Sequence, residues 1–215
     1  ELPEVDWVAH VKRELQPVQA GRFFVYGAHD ADRLPQGKVG LKIEASMAFG
    51  TGHHGTTLGC LLALDRIANQ GVVARNVADI GAGTAVLAMA AAKIWPNPVI
   101  ASDIDEVACD VARANVHANG VEDRVHVVEA AGFDHPDLKS ASPFDLVFAN
   151  ILKGPLISLA PDMSEAVAPG GRAILSGILN PQADEVIAAY DAAGFSVDRR
   201  DEHGDWTTLT LLRSA

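Results

Sequence analysis

Short apolar runs alternate with longer segments of helical periodicity along most of the chain. Glycine, proline or polar residues separate these segments, which is typical of strands and helices joined by turns. The predicted strands are Asn76–Ile80, Val99–Ser102, Val125–Glu129, Asp145–Ala149, Arg172–Ser176, Ser196–Asp201 and Trp206–Leu212. The predicted helices are Ala85–Lys93, Glu106–Asn119, Pro155–Val167 and Pro181–Ala193.

Strands that alternate with helices favour right-handed crossovers and a mainly parallel sheet. The last two predicted strands are joined through the segment "EHGDW" without a helix, so we expect them to pair antiparallel. The predicted fold class is therefore α/β and Rossmann-like. We expect a seven-stranded mixed sheet whose last strand is antiparallel, with helices on both faces.

The first 20 residues predict a linker helix, because Trp7, Val8, Val11 and Leu15 fall on one helical face. Residues 21–215 follow as one main domain. Its first part, residues 21–57, contains the strand-like segments "RFFVYG" and "KVGLKIEA", for which a hairpin is the simplest arrangement.

A glycine-rich segment, Phe49–Thr57, shows no consistent period and predicts a loop long enough to fold over a ligand. Thr56 or Thr57 is the expected cap of a helix that continues to about Ala68. The loop also contains adjacent histidines at positions 53 and 54, but no cysteine or carboxylate cluster accompanies them, so no metal site is predicted.

Composition narrows the classes of partner. The net charge of −11 argues against broad binding to nucleic acid or anionic membranes, which require a basic surface, and favours a basic protein or a cationic cofactor. No apolar run approaches the ~20 residues that a membrane helix needs. Cys60 and Cys109 lie far apart in apolar helical patterns, which indicates free thiols and a cytoplasmic location.

The segment "VADIGAGTAVLAMA" predicts a buried strand, a glycine turn and a helix, which is a common ligand site in open α/β sheets. A dinucleotide fingerprint would require glycine at position 86, which holds valine. Asp79 would also repel a pyrophosphate, by ~4 kcal/mol at ~4 Å and an effective dielectric of ~20. It would instead attract an ammonium or sulfonium group, so S-adenosylmethionine fits the turn, with its carboxylate near the helix N-terminus at Thr84.

A second acidic residue, Asp103, ends the next predicted strand at about the 20-residue offset of a carboxylate that binds ribose hydroxyls. Glu129 and Ala130, at the following strand end, are candidates to flank the adenine. Asp105 is expected to cap a helix. The alternative interpretation is that Asp79 and Asp103 are only strand-end caps around a tight turn.

Asn150 ends the fourth predicted strand beside the expected cofactor pocket. Its amide could accept a hydrogen bond from an amine substrate and orient the lone pair of that amine. The alternative is that Asn150 only satisfies backbone groups where the strand meets the loop.

Five motifs occur in the order "AFGTGHHGTT", "DIGAGTAVLA", "SDIDEVA", "FDLVFANIL" and "PGGRAILSGIL", with "DWV" near the start of the chain. With these motifs the sequence resembles, over nearly its whole length, the PrmA-type lysine methyltransferases. That family modifies protein eleven of the large ribosomal subunit and has the class I S-adenosylmethionine-dependent fold. The resemblance implies S-adenosylmethionine as cofactor, a basic ribosomal protein as partner and Asn150 as the residue that faces the methyl group and the acceptor amine. The cofactor-binding residues it implies are Phe49, Gly50, Thr51, Gly52, His54, Thr56, Asp79, Gly81, Gly83 and Asp103.

The sequence departs from the family pattern at three positions. Ala85 stands in place of a third motif glycine, His53 in place of threonine and Gly55 in place of proline. The extra methyl group at Ala85 is expected to lower cofactor affinity without changing the reaction class. The family also carries a small N-terminal substrate-recognition domain before the linker helix, and we expect that domain to be absent from this chain.

The expected reaction is attack of a neutral amine on the sulfonium methyl group. Bringing a lysine pKa from ~10.4 to 7 requires ~4.6 kcal/mol, which desolvation and the nearby sulfonium can supply. The alternatives are methylation of a small molecule, a glutamine or a nucleic-acid base, a non-catalytic cofactor-binding module and an NAD-dependent oxidoreductase. Relatives that methylate glutamine or bases carry Asn-Pro-Pro-aromatic where this chain has Asn150-Ile151-Leu152-Lys153.

Overall fold

The computed structural model describes residues 17–43 and 54–215. Most of the predicted linker helix lies outside the described residues. Its last part was predicted wrongly, because Val18–Ala20 forms a strand, β1.

The first described region is a three-stranded sheet of β1, β2 (Phe23–Gly27) and β3 (Val39–Ile43). The predicted hairpin is wrong, because β2 and β3 pair in parallel, with Phe23 opposite Val39. The connection contains a 3₁₀ helix, Ala28–Arg33, and is long enough to return the chain to the start of β2. β1 takes the antiparallel position beside β2 instead, across a tight turn at Gly21, whose φ is 54°.

The rest of the chain forms one sheet and its covering helices. The strands are β4 (Val77–Ile80), β5 (Val99–Asp103), β6 (Val125–Glu129), β7 (Phe144–Asn150), β8 (Val167–Leu179), β9 (Phe195–His203) and β10 (Trp206–Arg213). The helices are α1 (His54–Asn69), α2 (Val86–Ile94), α3 (Glu106–Ala118), α4 (Pro136–Ala141), α5 (Lys153–Ser158), α6 (Ala160–Ala166) and α7 (Ala183–Ala192).

The strand order is β6-β5-β4-β7-β8-β10-β9. The pairs from β6 through β8 are parallel, and β10 is antiparallel to both of its neighbours. The predicted seven-stranded mixed sheet is therefore confirmed, including its antiparallel last strand.

Two differences from the predicted helices have local causes. One predicted helix over residues 155–167 is two short helices, α5 and α6, because Pro161 has no N–H and its ring disfavours continuation of the preceding helix. The short helix α4, which begins at Pro136, was not predicted. Its six residues are too few to show a helical period.

Apolar side chains pack on both faces of the seven-stranded sheet. Helices α1, α2 and α3 cover one face together with the small N-terminal sheet, and helices α4 to α7 cover the other. Cys60 and Cys109 are buried free thiols, as predicted. Within the described part of the chain, no helix combines the length and apolarity needed to cross a membrane.

Candidate functional site

The predicted site residues converge at the carboxyl edge of the sheet. β4 pairs with β5 on one side and with β7 on the other, so the strand order reverses at β4. Ligands of open α/β sheets bind outside the strand ends at such a reversal. The ends of β4, β5, β6 and β7 bring four predicted residues to this one edge: Asp79, Asp103, Glu129 and Asn150.

The turn after β4 depends on glycine at two positions. Gly81 and Gly83 have φ values of 69° and 54°, in the left-handed region that glycine adopts without strain. A Cβ at Gly81 would overlap the side chain of Ile151, the residue after Asn150, whereas a Cβ at Gly83 would meet open space. The first glycine therefore permits packing against the β7 end, and the second leaves the turn backbone accessible to a ligand.

Ala85, just before α2, is also left-handed, with φ 61° and ψ 22°. It is fully buried, and its carbonyl oxygen accepts a hydrogen bond from the Met89 N–H at 2.9 Å. An L-residue in this conformation is strained by about 1–2 kcal/mol. The structure thus gives a backbone reason for the glycine that the family pattern has here, in addition to the extra methyl group.

Asp79 is a buried carboxyl group, only 1% exposed, beneath this turn. Its Oδ2 accepts a hydrogen bond at 3.0 Å from the N–H of Ala88, in the first turn of α2, where backbone N–H groups lack helical partners. Desolvation raises the pKa of Asp79 to about 7, the Ala88 hydrogen bond opposes that rise and Asp103 adds to it. Asp79 therefore accepts a backbone hydrogen bond from α2, and a cationic ligand beside this buried carboxyl group would favour its charged form.

Asp103 ties the turn to β5. Its Oδ2 accepts from the Gly83 N–H at 2.9 Å, and its Oδ1 accepts from the Asp105 N–H at 3.1 Å. Each carboxylate oxygen has a further lone pair, so this half-buried group can still accept from hydroxyls of a ligand. Asp105 caps α3 as predicted, because its side chain accepts from the Val107 N–H at 3.0 Å.

Glu129 and Ala130 lie next to Asp103 across the sheet edge. Glu129 is exposed and pairs with Asp103 in the β5–β6 register, while the buried Ala130 donates its N–H to the Asp103 carbonyl oxygen at 2.8 Å. Sequence reasoning gave no role to Ile104, which is 73% exposed beside Asp103. The available signal was a large apolar residue directly after an acidic strand end.

Asn150, the last residue of β7, is half-buried and forms a hydrogen bond with another side chain. Its Nδ2 donates to the Thr56 Oγ1 at 3.2 Å. Thr56 is fully buried and lies in the first turn of α1. The structure therefore brings together two of the predicted site residues, which are far apart in the sequence.

The predicted loop ends earlier than expected, because α1 begins at His54 and contains Thr56 and Thr57. The prediction that one of these threonines is the N-cap is wrong, because the helix begins before both of them. Phe49, Gly50, Thr51 and Gly52 lie outside the described residues, as does the side chain of His54.

Gly177 in β8 was missed as a residue that shapes the site. Its φ is 84°, and a Cβ there would lie within 3 Å of backbone atoms of Ile151. Glycine at this position therefore allows the chain after Asn150 to cross close to β8. A glycine inside an apolar strand, as in "ILSGIL", is the sequence signal of such a close approach.

Among residues 17–43 and 54–215, no group of three or more histidine, cysteine or acidic side chains is arranged to hold a metal ion.

Comparison with known proteins identifies the family. The family model described as "Ribosomal protein L11 methyltransferase (PrmA)" matches residues 1–214. The ribosomal protein L11 methyltransferase of Brucella suis is 47% identical over 211 residues, which is 98% of this chain and 74% of the relative. The protein of the same name from Chelativorans sp. is 48% identical over 213 residues, 99% of this chain and 73% of the relative.

A solved structure agrees with these sequence matches. The crystal structure of the ribosomal protein L11 methylase from Lactobacillus delbrueckii subsp. bulgaricus has a TM-score of 0.82 and 26% identity, and the match covers 93% of this chain and 100% of that one. The family match decides against an NAD-dependent oxidoreductase. Together with the glycine turn and the strand-end residues described above, these matches place the chain in the ribosomal protein L11 methyltransferase (PrmA) family, whose activity is S-adenosylmethionine-dependent methyl transfer.

Proposed function

We propose that this chain transfers a methyl group to an amine nitrogen, that of lysine, in a ribosomal protein of the large subunit. The observation that carries the proposal is the pairing of β4 with β7, which sets the Asp79–Gly83 turn beside Asn150. This pairing supports a donor site and an acceptor site next to each other on one sheet edge. The names of the relatives support ribosomal protein L11 as the acceptor.

The residues of the turn fit S-adenosylmethionine, which supplies an electrophilic methyl group on a sulfonium when bound. Gly83 leaves open space above the turn, and among the described residues 17–43 and 54–215 the groups that shift the pKa of Asp79 include no arginine or lysine. Asp79 and the turn would hold the cationic methionine end, and Asp103 would accept from the ribose hydroxyls. Glu129, Ala130 and Ile104 would flank the adenine. The proposed contacts from the preceding loop are Phe49, Gly50, Thr51, Gly52 and His54.

Asn150 is the proposed catalytic residue. Its carboxamide oxygen would accept an N–H of the acceptor amine and orient the nitrogen lone pair toward the methyl group. The amine must be neutral to attack, and a desolvated site lowers the pKa of an amine. Positioning of the two reactants therefore accounts for most of the proposed rate enhancement, and no strong base is required.

Charge supports the proposed partner. The chain has a net charge of −11, which complements a basic ribosomal protein and disfavours nucleic acid or an anionic membrane as the direct acceptor. A ribosomal substrate also supports a cytoplasmic location for the proposed activity.

Calorimetric titration tests the donor site first. S-adenosylhomocysteine should bind the full chain, and NAD, as a control ligand, should not. Equal binding of both ligands, or binding of NAD alone, would contradict the proposed use of Asp79 to select a cationic donor.

Methyl transfer tests the acceptor site. With radiolabelled S-adenosylmethionine and unmethylated ribosomal protein L11, Asn150→Ala should lower the rate at least about tenfold and leave the S-adenosylhomocysteine Kd within about twofold. An unchanged rate in this variant would remove Asn150 from the mechanism. Label that enters RNA rather than protein in a cell lysate would overturn the proposed acceptor class.

A further inference from the structure

The hydrogen bond between Asn150 and Thr56 determines which end of the Asn150 amide faces the site. The two ends of a carboxamide are similar in shape, but the oxygen only accepts hydrogen bonds and the nitrogen only donates them. Here the nitrogen donates to the Thr56 Oγ1 at 3.2 Å. Thr56 is fully buried whereas Asn150 is half-buried, so the nitrogen end points inward and the oxygen end is left for the site.

This orientation has a chemical consequence for an acceptor amine. A carboxamide oxygen accepts an N–H of the amine and leaves the nitrogen lone pair free to attack. In the flipped orientation the NH₂ group would donate a hydrogen bond to that lone pair and occupy it. The Thr56 hydroxyl oxygen has two acceptor lone pairs, so it can take the N–H of the amide in this orientation.

We propose that Thr56 is a positioning residue for methyl transfer, which holds the Asn150 amide so that its oxygen faces the acceptor amine. The proposal rests on the function proposed above, because it concerns the same amide and the same acceptor. It differs from the role in cofactor binding that the family resemblance implies for Thr56.

The packing of α1 keeps Thr56 at this distance. A Cβ at Gly55 would lie 2.9 Å from the Trp206 ring, and one at Gly59 would overlap the Thr208 hydroxyl. The first turns of α1 therefore lie directly on the β9–β10 hairpin. Close packing on this face leaves little room for the helix to move away from Asn150.

The buried hydroxyl groups of Ser176 and Thr208 support the Asn150 side of the contact between Asn150 and Thr56. Ser176 is the strand partner of Asn150, and its Oγ donates to the Thr207 carbonyl oxygen at 2.9 Å and lies 3.0 Å from the Thr208 Oγ1. The strand that flanks Asn150 and the hairpin that supports α1 are thus joined below the site. Thr56 and Asn150 are held from both sides by well-packed neighbours.

Two substitutions of Thr56 separate orientation from packing. Thr56→Val keeps the volume and removes the acceptor oxygen, so kcat for methylation of ribosomal protein L11 should fall about tenfold while the S-adenosylhomocysteine Kd stays within about twofold. Thr56→Ser keeps the oxygen and should retain kcat within about threefold. In an Asn150→Ala background, Thr56→Val should have no further effect on kcat.

Thr210→Val is the matched control for the loss of a buried threonine hydroxyl. Thr210 is 1% exposed, and its Oγ1 accepts from Arg66 of α1 at 2.7 Å. This variant should lower the melting temperature without changing kcat. The proposal is overturned by an unchanged kcat in Thr56→Val, by a Kd that rises in proportion to the loss of kcat, or by a Thr56→Ser variant as slow as Thr56→Val.

A structural readout keeps this test independent of turnover. In ¹⁵N-labelled protein with S-adenosylhomocysteine, the Asn150 side-chain NH₂ signals are the pair that Asn150→Ala removes. Their exchange with water should accelerate at least about threefold in Thr56→Val but not in Thr56→Ser. Unchanged exchange in Thr56→Val would overturn the role of Thr56. If the wild-type chain methylates no protein but Thr56→Val still accelerates the exchange, only the proposed function is refuted.

Discussion

The two halves of the candidate site use different chemistry. On the donor side, carboxyl groups at the ends of β4 and β5 accept hydrogen bonds from backbone N–H groups, as Asp79 does from Ala88 and Asp103 from Gly83. On the acceptor side, a neutral amide, that of Asn150, donates to the neutral hydroxyl of Thr56. Buried negative charge suits a cationic donor, whereas neutral groups near the acceptor do not stabilise the protonated amine. Under the proposed function, the donor half would select the charge of its ligand and the acceptor half would select the orientation of the amine.

The largest expected effect concerns the buried charge of the donor half. The pKa of Asp79 is raised to about 7 in the folded chain, above the usual 3.8. Between these values the folded state holds a proton that the unfolded state releases, so stability falls as the pH rises from about 4 to 7, by about 4 kcal/mol from this group. Urea unfolding of the ligand-free chain from pH 5 to pH 8 should show about 3 kcal/mol of this loss, because the rest occurs below pH 5, and Asp79→Asn should remove it. A parallel pH dependence in the wild type and the variant would contradict the raised pKa.

The next largest effect concerns the acceptor half, where β8 passes close to the backbone of Ile151. Gly177→Ala adds a Cβ within 3 Å of the Ile151 backbone at a φ of 84°, and should destabilise the fold by about 3 kcal/mol and slow methyl transfer. Gly71→Ala is the matched control, because its φ is 81° but a Cβ there meets open space. The control should be destabilised by only about 1 kcal/mol and should keep its rate. Equal losses of stability, measured by urea unfolding, would show that the crossing carries no cost.

A third, smaller effect separates ligand binding from helix capping in the donor half. Asp103→Ala removes the acceptor for the Gly83 N–H and for ribose hydroxyls, and should raise the S-adenosylhomocysteine Kd about thirtyfold. Asp105→Ala removes only the cap of α3, and should cost about 1 kcal/mol of stability with little change in Kd. Calorimetric titration of both variants distinguishes the two roles, and similar Kd values for them would contradict the assignment.

The smallest effect concerns the strain before α2. Ala85→Gly relieves a left-handed alanine but adds conformational entropy to the unfolded chain, so the net stabilisation should be about 0.5–1 kcal/mol. Ala90→Gly, in the interior of the same helix, should instead destabilise by about 1 kcal/mol or more. Thermal unfolding of both variants measures whether stability rises in Ala85→Gly and falls in Ala90→Gly. Destabilisation by Ala85→Gly would argue against strain at this residue.

Most segments whose structure depends on neighbouring residues were predicted correctly, whereas several features that depend on contacts between distant segments were not. The strand and helix segments after residue 76 were predicted nearly in full, because their hydrophobic periods and glycine stops are local. The parallel pairing of β2 and β3 was not predicted, because it depends on where the intervening 3₁₀ helix returns the chain. The start of α1 was also misplaced, since burial of Thr56 and Thr57 against the sheet decides it.

The glycine turn, the acidic residues at 79 and 103 and the asparagine at the end of β7 could be identified from local sequence, since turn chemistry and strand ends are encoded within a few residues. The left-handed conformation of Ala85, the raised pKa of Asp79 and the contact between Thr56 and Asn150 arise from packing in the folded chain. Strain, desolvation and long-range hydrogen bonds depend on which segments pack together, and Thr56 and Asn150 are 94 residues apart. Packing of α1 against the sheet therefore converts two separate motifs into one oriented pair.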